Sequence, residues 1–323
     1  MRIIVTGGLG FIGSNFISYW LRNHAGDSVT NVDAVTYAAD FRNLDQVSSS
    51  PFYKFVKADI TDYEVMLDSA RNADCLVNFA AESHVDNSID NSDRFVQSNV
   101  VGVQRLLEVV RKTDIRFHQV STDEVYGSLE LGSSEKFTEN TKYNPRNPYS
   151  ATKASADFLV RSYHNTYGLP VTISNCSNNY GPNQHPEKLI PKTILNALNE
   201  NKIPIYGSGN QIRDWIHVYD HCAAIDLVLS RGDYGKTYLV GGNSEKTNNE
   251  VIRSILSIMG KGDDLVEYVA DRPGHDVRYS IETSPFFHRN GWKQKYSFDE
   301  GLRNTVEHYT KNRTRYLENQ DIR

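Results

Sequence analysis

Short, almost continuously apolar runs recur through the first half of the chain. They alternate with longer stretches in which apolar residues return every three or four positions. The short runs are Arg2–Thr6, Ser28–Val32, Tyr53–Lys57, Cys75–Phe79, Arg116–Ser121 and Val171–Asn175. Because successive residues are apolar, these runs read as strands covered on both faces, the condition of a parallel sheet. The clearest helical stretch is Asp93–Lys112, where Val96, Val100, Val103, Leu107 and Val110 form one predicted buried stripe. Asp93 in its first turn and Arg111 and Lys112 in its last complement the helix dipole. Repeated strand–helix units of this kind predict an α/β fold built on a doubly wound parallel sheet.

Beyond about Asn178 the pattern loosens. Gly, Pro and Asn punctuate Asn178–Gln184 and Pro204–Asn210, and the helical stretches shorten. Lys236–Val240 reads as a strand returning to the sheet, with His217–Leu229 as the helix before it. The expected organisation is therefore a domain over residues 1–178, with a returning segment near 214–243, and a smaller, interleaved C-terminal substrate domain over residues 179–323. No internal repeat or low-complexity tract interrupts the chain. The long polar segment Gly127–Pro148 reads as a surface excursion, either beside the site or without a role in it.

Thr6–Gly13 (TGGLGFIG) directly follows the first strand and opens a helix. Gly8, Gly10 and Gly13 match one dinucleotide-binding spacing, and Gly7, Gly10 and Gly13 match another. In either register the missing side chains let a pyrophosphate reach the backbone, while the helix N-terminus supplies N–H donors. Asp33 closes the second strand 20 residues after Gly13. A carboxylate there accepts hydrogen bonds from an adenosine ribose and repels a 2′-phosphate, which favours NAD over NADP. The sheet is thus expected to be of Rossmann type. The bland alternative is a glycine-rich turn beside a solvated Asp.

Tyr149 and Lys153 lie four apart at the start of a predicted helix, on one face. A neighbouring ammonium stabilises phenolate, so the pair predicts a tyrosine of lowered pKa that can act as a base. Their helix follows the strand that ends in Ser121, Thr122, Asp123, Glu124, Val125, Tyr126 and Gly127. Polar residues at the C-terminal end of a parallel strand are where such sheets place their sites.

At this point the motifs are specific enough to carry a resemblance. TGGLGFIGSNF, AAESHVDNSI, STDEVYG, YSATKASAD, NCSNNYGPNQHPEKLIP, PIYGSGNQIRDWIHVYDH and DRPGHDVRYSIE span nearly the whole chain. Together they resemble the extended short-chain dehydrogenase/reductases, and within them the nucleotide-sugar 4,6-dehydratases. The nucleotide-sugar 4-epimerases share the glycines and the Tyr/Lys pair. They are not expected to carry the Asp-Glu pair after the threonine, which makes Asp123-Glu124 the discriminating feature.

The resemblance implies oxidation of a nucleoside-diphosphate glucose at C4, elimination of water across C5 and C6, and hydride return to C6. The product is a 4-keto-6-deoxy sugar, and dTDP-glucose is the family's default substrate. It further implies that Tyr149 takes the 4-hydroxyl proton, that Thr122 bonds the 4-oxygen, and that Lys153 tunes Tyr149 and holds the nicotinamide ribose. Glu124 is then the base at C5 and Asp123 the acid at the 6-hydroxyl, so Asp123 must keep a proton that Glu124 lacks. The alternative for these carboxyls is a solvated turn. A catalytically silent NAD-sensing protein is the corresponding alternative for the chain.

Further cofactor contacts implied by motif position are Phe11, Ile12, Ala34, Thr36, Asp59, Ile60, Ala80, Ala81, Ser83, Ser98 and Asn179. Asp59 equally suits a helix cap before Thr61-Asp62. On the substrate side the matched positions are His84, Asn178, Glu187, Lys188, Leu189, Pro204, Tyr206, Arg213, Asn248, Arg272 and His275, with Lys188, Arg213, Arg272 and His275 as candidate partners of a diphosphate. The chain departs from the family pattern at Ala39-Asp40, Asn87 and Ser98, in the short stretch between Thr122 and Tyr149, and in a tail without a match after Tyr309.

Charge and composition limit the partners. The chain has 323 residues, with Lys plus Arg at 35 and Asp plus Glu at 40, a net charge of −5. An acidic surface does not attract a phosphate backbone, so no nucleic-acid partner is expected. No apolar run approaches the ~20 residues of a membrane helix, and Met1-Arg2 lead straight into a strand-like run without a leader layout. The 3 cysteines, Cys75, Cys176 and Cys222, form no close pair, which fits a reducing, cytoplasmic location. His217 and His221 have a metal-like spacing but no accompanying Glu, and read as structural. No metal is expected. The resemblance implies a homodimer pairing the helices Asp93–Lys112 and Tyr149–Tyr167.

Overall fold

In the computed structural model, which describes residues 1–318, seven parallel strands make the central sheet. In chain order these are β1 (Arg2–Thr6), β2 (Ser28–Asp33), β3 (Tyr53–Lys57), β4 (Cys75–Asn78), β5 (Arg116–Thr122), β6 (Val171–Cys176) and, after three strands of a second body, β10 (Thr237–Val240). Their spatial order is β10-β6-β5-β4-β1-β2-β3. The chain therefore reverses direction across the sheet between β1 and β4, and ligand crevices of such sheets open beyond the strand C-termini at that switch point.

Both faces of the sheet are covered, as the unbroken apolar runs require. Ile3 and Val5 of β1 pack with α1 (Phe11–Asn23) and α8 (Val218–Arg231) on one face, while Ile4 packs with α2 (Tyr63–Ala70), α5 (Val103–Thr113) and α6 (Pro148–Tyr167) on the other. β10 pairs in parallel with β6, so the run read as a returning strand does join this sheet.

The stretch predicted as one helix over Asp93–Lys112 is interrupted. It begins after a short α3 (Val85–Asp90) with α4 (Asp93–Val96), passes through a π-helical turn over Gln97–Gly102, and continues as α5. The wider turn shifts the inward face by one residue. Phe95 is buried before it and Asn99 within it, Val96 is 42% exposed, and Val103, Leu107 and Val110 are buried after it. The expected stripe is therefore correct only from Val103 onward, because a 3.6-residue period cannot register an inserted residue. The same turn sets Gly102 against Ile60, where an added Cβ would lie 2.4 Å from Ile60 Cδ1.

The second body holds two small sheets. β7 (Asn178–Tyr180), β9 (Ile212–His217) and β11 (Glu245–Thr247) form one, in the order β11-β9-β7; β8 (Ile203–Tyr206) and β12 (Val266–Val269) form the other. Asn178–Tyr180 and Ile203–Tyr206 fall in stretches that composition marks as punctuation. Pairing with distant strands makes them β-structure. Three helices, α7 (Leu189–Leu198), α9 (Asn248–Met259) and α11 (Phe298–Lys311), close a core around Tyr180, Ile194, Trp215, Ile255 and Leu302. α10 (Pro285–Arg289) packs Phe287 against Tyr238 and Val240 of β10.

The segment Gly127–Pro148 is not a free excursion. Leu129 N donates to Arg278 O at 2.9 Å and Phe137 N to Ser280 O at 2.8 Å, and Phe137 is buried beside Tyr126 and Ile281. It backs the site and lines neither cavity described below.

The tail after Tyr309 forms α12 (Arg313–Glu318), whose Arg315 Nε donates to Asp40 Oδ2 at 3.2 Å. Residues 319–323 lie outside the described residues. Among the described residues no helix is long and apolar enough to cross a membrane.

Candidate active site

A cavity of about 730 Å³ opens over the switch point. It is lined by Gly7, Gly10, Phe11, Ile12, Gly13, Asp33, Ala34, Thr36, Asp59, Ile60, Ala80, Ala81, Ser83, Ser98, Tyr149, Lys153 and Asn179, together with Thr122, Asp123 and Glu124. The residues read as cofactor contacts therefore converge on one space. Gly7, with φ +70°, stands so close to β4 that a Cβ would lie 2.7 Å from Ala80 N. Gly8 faces away, donating its N–H to Asn31 Oδ1 at 3.1 Å, so Gly7, Gly10 and Gly13 form the ligand-facing register. Gly10 caps α1 without a side chain, leaving the first-turn amides open to an anion.

Two expected contacts carry structural duties as well. Asp33 Oδ2 accepts from Leu9 N at 2.9 Å and Oδ1 from Val35 N at 2.8 Å, so it fastens the glycine turn it was expected only to accompany. Asp59 accepts from Thr61 N at 2.8 Å, while Asp62 is the residue that caps α2.

The threonine and the two carboxyls leave β5 in a single 3₁₀ turn, Asp123–Tyr126, capped by Thr122. α6 is fixed by a capping box between Asn147 and Ser150, with Pro148 in its first turn, and this sets Tyr149 and Lys153 rigidly opposite. Lys153 Nζ donates to Val120 O at 2.8 Å.

The adjacent carboxyls differ in setting. Asp123 is 1% exposed. Burial, then the neighbouring Glu124 and Asp214 charges, push its carboxyl far above the usual range. Burial also raises Glu124, but Arg213, Arg272 and Lys188 each oppose the shift. Burial thus favours the protonated form at Asp123, while at Glu124 the same effect is opposed by three cations. Tyr149 departs from expectation. Burial, followed by Glu124 and Cys176, drives its phenol well above the ordinary range, with only the Thr122 hydroxyl opposing among the main influences. Burial also weakens the Lys153 charge, so the chain alone does not deliver the lowered tyrosine expected from the Tyr/Lys spacing.

A second cavity, of about 710 Å³, adjoins the first at Ser83, Glu124, Asn178 and Lys188. His84, Glu187, Leu189, Pro204, Tyr206, Arg213, Asn248, Arg272 and His275 line it as well, whereas Thr122 lies on the first cavity only. Arg213 is buried, donating to Ile212 O at 2.8 Å and Asp276 O at 2.9 Å with its guanidinium 4.2 Å from the Tyr279 ring. Arg272 Nη1 donates to Asp86 Oδ1 at 2.9 Å, and Lys188 Nζ to Ser83 O at 2.9 Å. His275 pairs with Asp271 at 2.6 Å.

His217 caps α8 and His221 bonds Asn179 at 2.9 Å, so both serve the scaffold. Asn87 lines neither cavity. Sequence reasoning missed Cys176 and Arg94 in the first cavity, and Asp86 and Tyr279 in the second. Cys176, Asp86 and Tyr279 lie inside the quoted motifs, which marked the segments without singling out these positions, while Arg94 lies outside them.

A glycine turn at the switch point of a 3-2-1-4-5-6-10 sheet, with a Tyr-x-x-x-Lys helix beside it and a second body after it, is the arrangement of an extended short-chain dehydrogenase/reductase. A family model described as GDP-mannose 4,6 dehydratase matches residues 4–305. The chain is 48% identical over 313 residues to a dTDP-glucose 4,6-dehydratase of Mycobacterium tuberculosis, covering 97% of this chain and 94% of that one. It is 50% identical over 310 residues to the low-salt glycan biosynthesis protein Agl12 of Haloferax volcanii, covering 96% and 98%. The crystal structure of DesIV, a dTDP-glucose 4,6-dehydratase of Streptomyces venezuelae with NAD bound, superposes with a TM-score of 0.96 at 43% identity, covering 99% and 100%. The chain belongs to the nucleotide-sugar 4,6-dehydratase family of extended short-chain dehydrogenase/reductases.

Proposed function

We propose that this chain dehydrates a nucleoside-diphosphate glucose, dTDP-glucose first among them, to the 4-keto-6-deoxy sugar. The observation that carries the reading is the junction of the two cavities, where Glu124 lines both and Asp123 beside it lines the first; burial raises both carboxyls, and Arg213, Arg272 and Lys188 oppose the rise at Glu124. An epimerase or an NAD-sensing protein has no use for such a pair. Bound NAD supplies the hydride acceptor for C4 and returns the hydride to C6 within one turnover.

The chain's own residues do the rest. The glycine turn, Asp33 and Lys153 hold the cofactor. Tyr149 accepts the 4-hydroxyl proton beside Thr122, which bonds the 4-oxygen. The C4 ketone acidifies C5–H; Glu124 removes that proton and Asp123 protonates the leaving 6-hydroxyl. Lys188, Arg213, Arg272 and His275 meet the diphosphate, with His84, Asn178, Glu187, Leu189, Pro204, Tyr206 and Asn248 shaping the sugar and base sites. The division into a cofactor domain (1–178, with 214–243 returning) and a sugar-nucleotide domain (179–323) belongs to the same reading.

We infer a cytoplasmic homodimer joined through α4, α5 and α6, supported by the exposed apolar Val96, Phe158 and Tyr167. Sedimentation of the purified chain tests that assembly, with a monomer overturning it.

The test of function is incubation with dTDP-, UDP- and CDP-glucose, followed by NMR of the sugar. A 4-keto-6-deoxy product without accumulating NADH is expected, fastest with dTDP-glucose. Glu124→Gln should lose that product at least ~100-fold while retaining NAD. A C4 epimer as sole product would overturn the proposal.

A further inference from the structure

α6 carries a second acid two turns beyond Tyr149. Asp157 has no solvent exposure and lies one turn past Lys153, itself 4% exposed. Its Oδ2 accepts from Ser121 Oγ at 2.8 Å, Tyr143 OH at 2.9 Å and Asn175 Nδ2 at 3.1 Å. Ser121 and Asn175 are register partners of β5 and β6. Asn175 Nδ2 also donates to Thr122 O at 3.0 Å. One carboxylate oxygen therefore ties together α6, both strand ends and the long loop, immediately behind Thr122.

We propose that Asp157 is a positioning residue for the oxidation step, serving as the buried counter-charge of Lys153 and fastening the strand ends that present Thr122. The inference rests on the roles given above to Lys153 and Thr122. Hydrogen bonds alone do not explain the residue type, because an Asn carboxamide oxygen could accept the same three donors. A buried carboxylate costs several kcal/mol unless a cation uses its charge.

Two cations flank it on the helix. Arg161 is partly exposed, donates to Tyr143 OH at 2.7 Å and lies over that ring, so it has other partners. Lys153 is almost fully buried and donates to a neutral carbonyl. Beside this pair stand the Cys176 thiol on β6, which faces Lys153, the Tyr149 phenol one turn before Lys153, and the Tyr126 and Tyr143 phenols. All four are pushed towards their neutral forms by burial. Burial raises the Asp157 carboxyl as well, and Lys153 is the first influence opposing that rise, so the two buried groups support each other's charged forms. Burial weakens the Lys153 ammonium, and Asp157 is the first influence opposing the loss.

The test measures Lys153 and the reaction separately. In full-length chain labelled with ¹⁵N-lysine, the Lys153 Nζ resonance, assigned with Lys153→Met, should titrate at least ~1 pH unit lower in Asp157→Asn than in the parent. With dTDP-glucose, the alkaline limb of kcat should move down by the same amount, with roughly a 10-fold loss at pH 8. Asp157→Glu, which keeps the charge, should keep both the limb and the titration. If Asp157→Asn does not fold, the Ser121→Ala/Tyr143→Phe pair, which strips two donors from the carboxylate, should shift the titration the same way by a smaller amount. An unmoved Lys153 titration overturns the proposal, as does a rate loss uniform across pH. Absence of any 4-keto product from the parent chain would overturn the function reading instead, and the NMR titration would still decide the role of Asp157.

Discussion

The two cavities that meet at Glu124 prepare for negatively charged ligands by different means. Around Gly7–Gly13 the chain offers backbone: open amides at the start of α1, and a turn so tight that side chains would strike main-chain atoms. Across the junction it offers side chains, Lys188, Arg213 and Arg272, each already held by a carbonyl or carboxylate from another segment. The backbone device is local and rigid, and it adds no net charge. The side-chain device is assembled from distant parts of the chain, and its cations also act on Glu124. A protein of net charge −5 can thus serve two anionic ligands without a basic surface.

The contrast predicts that the largest loss comes from the smallest substitution. In Gly13→Ala the new Cβ would lie 2.4 Å from Gly7 O and 2.9 Å from Gly8 Cα. Both are main-chain atoms of the turn itself, so relief requires rebuilding the loop at roughly 1–3 kcal/mol or more. The variant should purify without NAD and show no turnover. Gly10→Ala, with its nearest contact at 3.3 Å, should be far milder. Cofactor content by absorbance after denaturation checks both; equal NAD retention in the two would show that the turn is not the rigid element.

Next in size is Arg213→Met, which keeps bulk and removes charge. Loss of a charge-assisted contact of about 1.5–3 kcal/mol should lower kcat/KM roughly 10- to 100-fold with NAD occupancy unchanged. A pH signature distinguishes this from simple misfolding. Arg213 is the foremost charge holding Glu124 down against burial, so its removal raises the Glu124 pKa further. In the proposed mechanism Glu124 works only when ionised. Activity lost on acidification should therefore disappear at a higher pH in the variant, visible as a shifted acid limb of kcat. An unmoved limb would separate Arg213 from the base.

The same contrast explains how much could be read from the chain beforehand. The strands, the glycine turn and the Tyr149/Lys153 face are local patterns, and each appears where its spacing places it. The misreadings all involve neighbours distant in sequence or a change of period. A π turn displaced Val96 from the core; β7 and β8 exist only through partners outside their own segments. Tyr149 is governed by burial and by Glu124, which its helix spacing to Lys153 does not reveal. Asp157 sits in the quoted motif YSATKASAD, yet its three donors come from three other segments.

The smallest predicted effect concerns the loop at Asp40 and the C-terminal helix that holds it. Asp40, where the resemblance implies Asn, accepts from Arg42 Nε at 3.0 Å and from Arg315 Nε at 3.2 Å, and Arg315 belongs to the tail expected to lack a match, which the Streptomyces venezuelae structure does match, since it covers 99% of this chain. Arg315 also donates to Asn43, and Tyr316 is buried against Tyr309, so α12 clasps the loop that carries Ala39 past the cofactor cavity. A partly exposed pair contributes up to ~1 kcal/mol. Arg315→Ala should accordingly lower Tm by about 2–4 °C. Asp40→Asn should do much the same. Because both remove the Asp40–Arg315 contact, the double substitution should cost less than the sum of the two, a coupling that calorimetry of the four proteins measures directly. Additive losses would mean that the tail and the loop are held independently, and that the cofactor side owes its rigidity to the backbone alone. A shared loss would make the loop beside the most local device in the molecule depend on a partner 275 residues away.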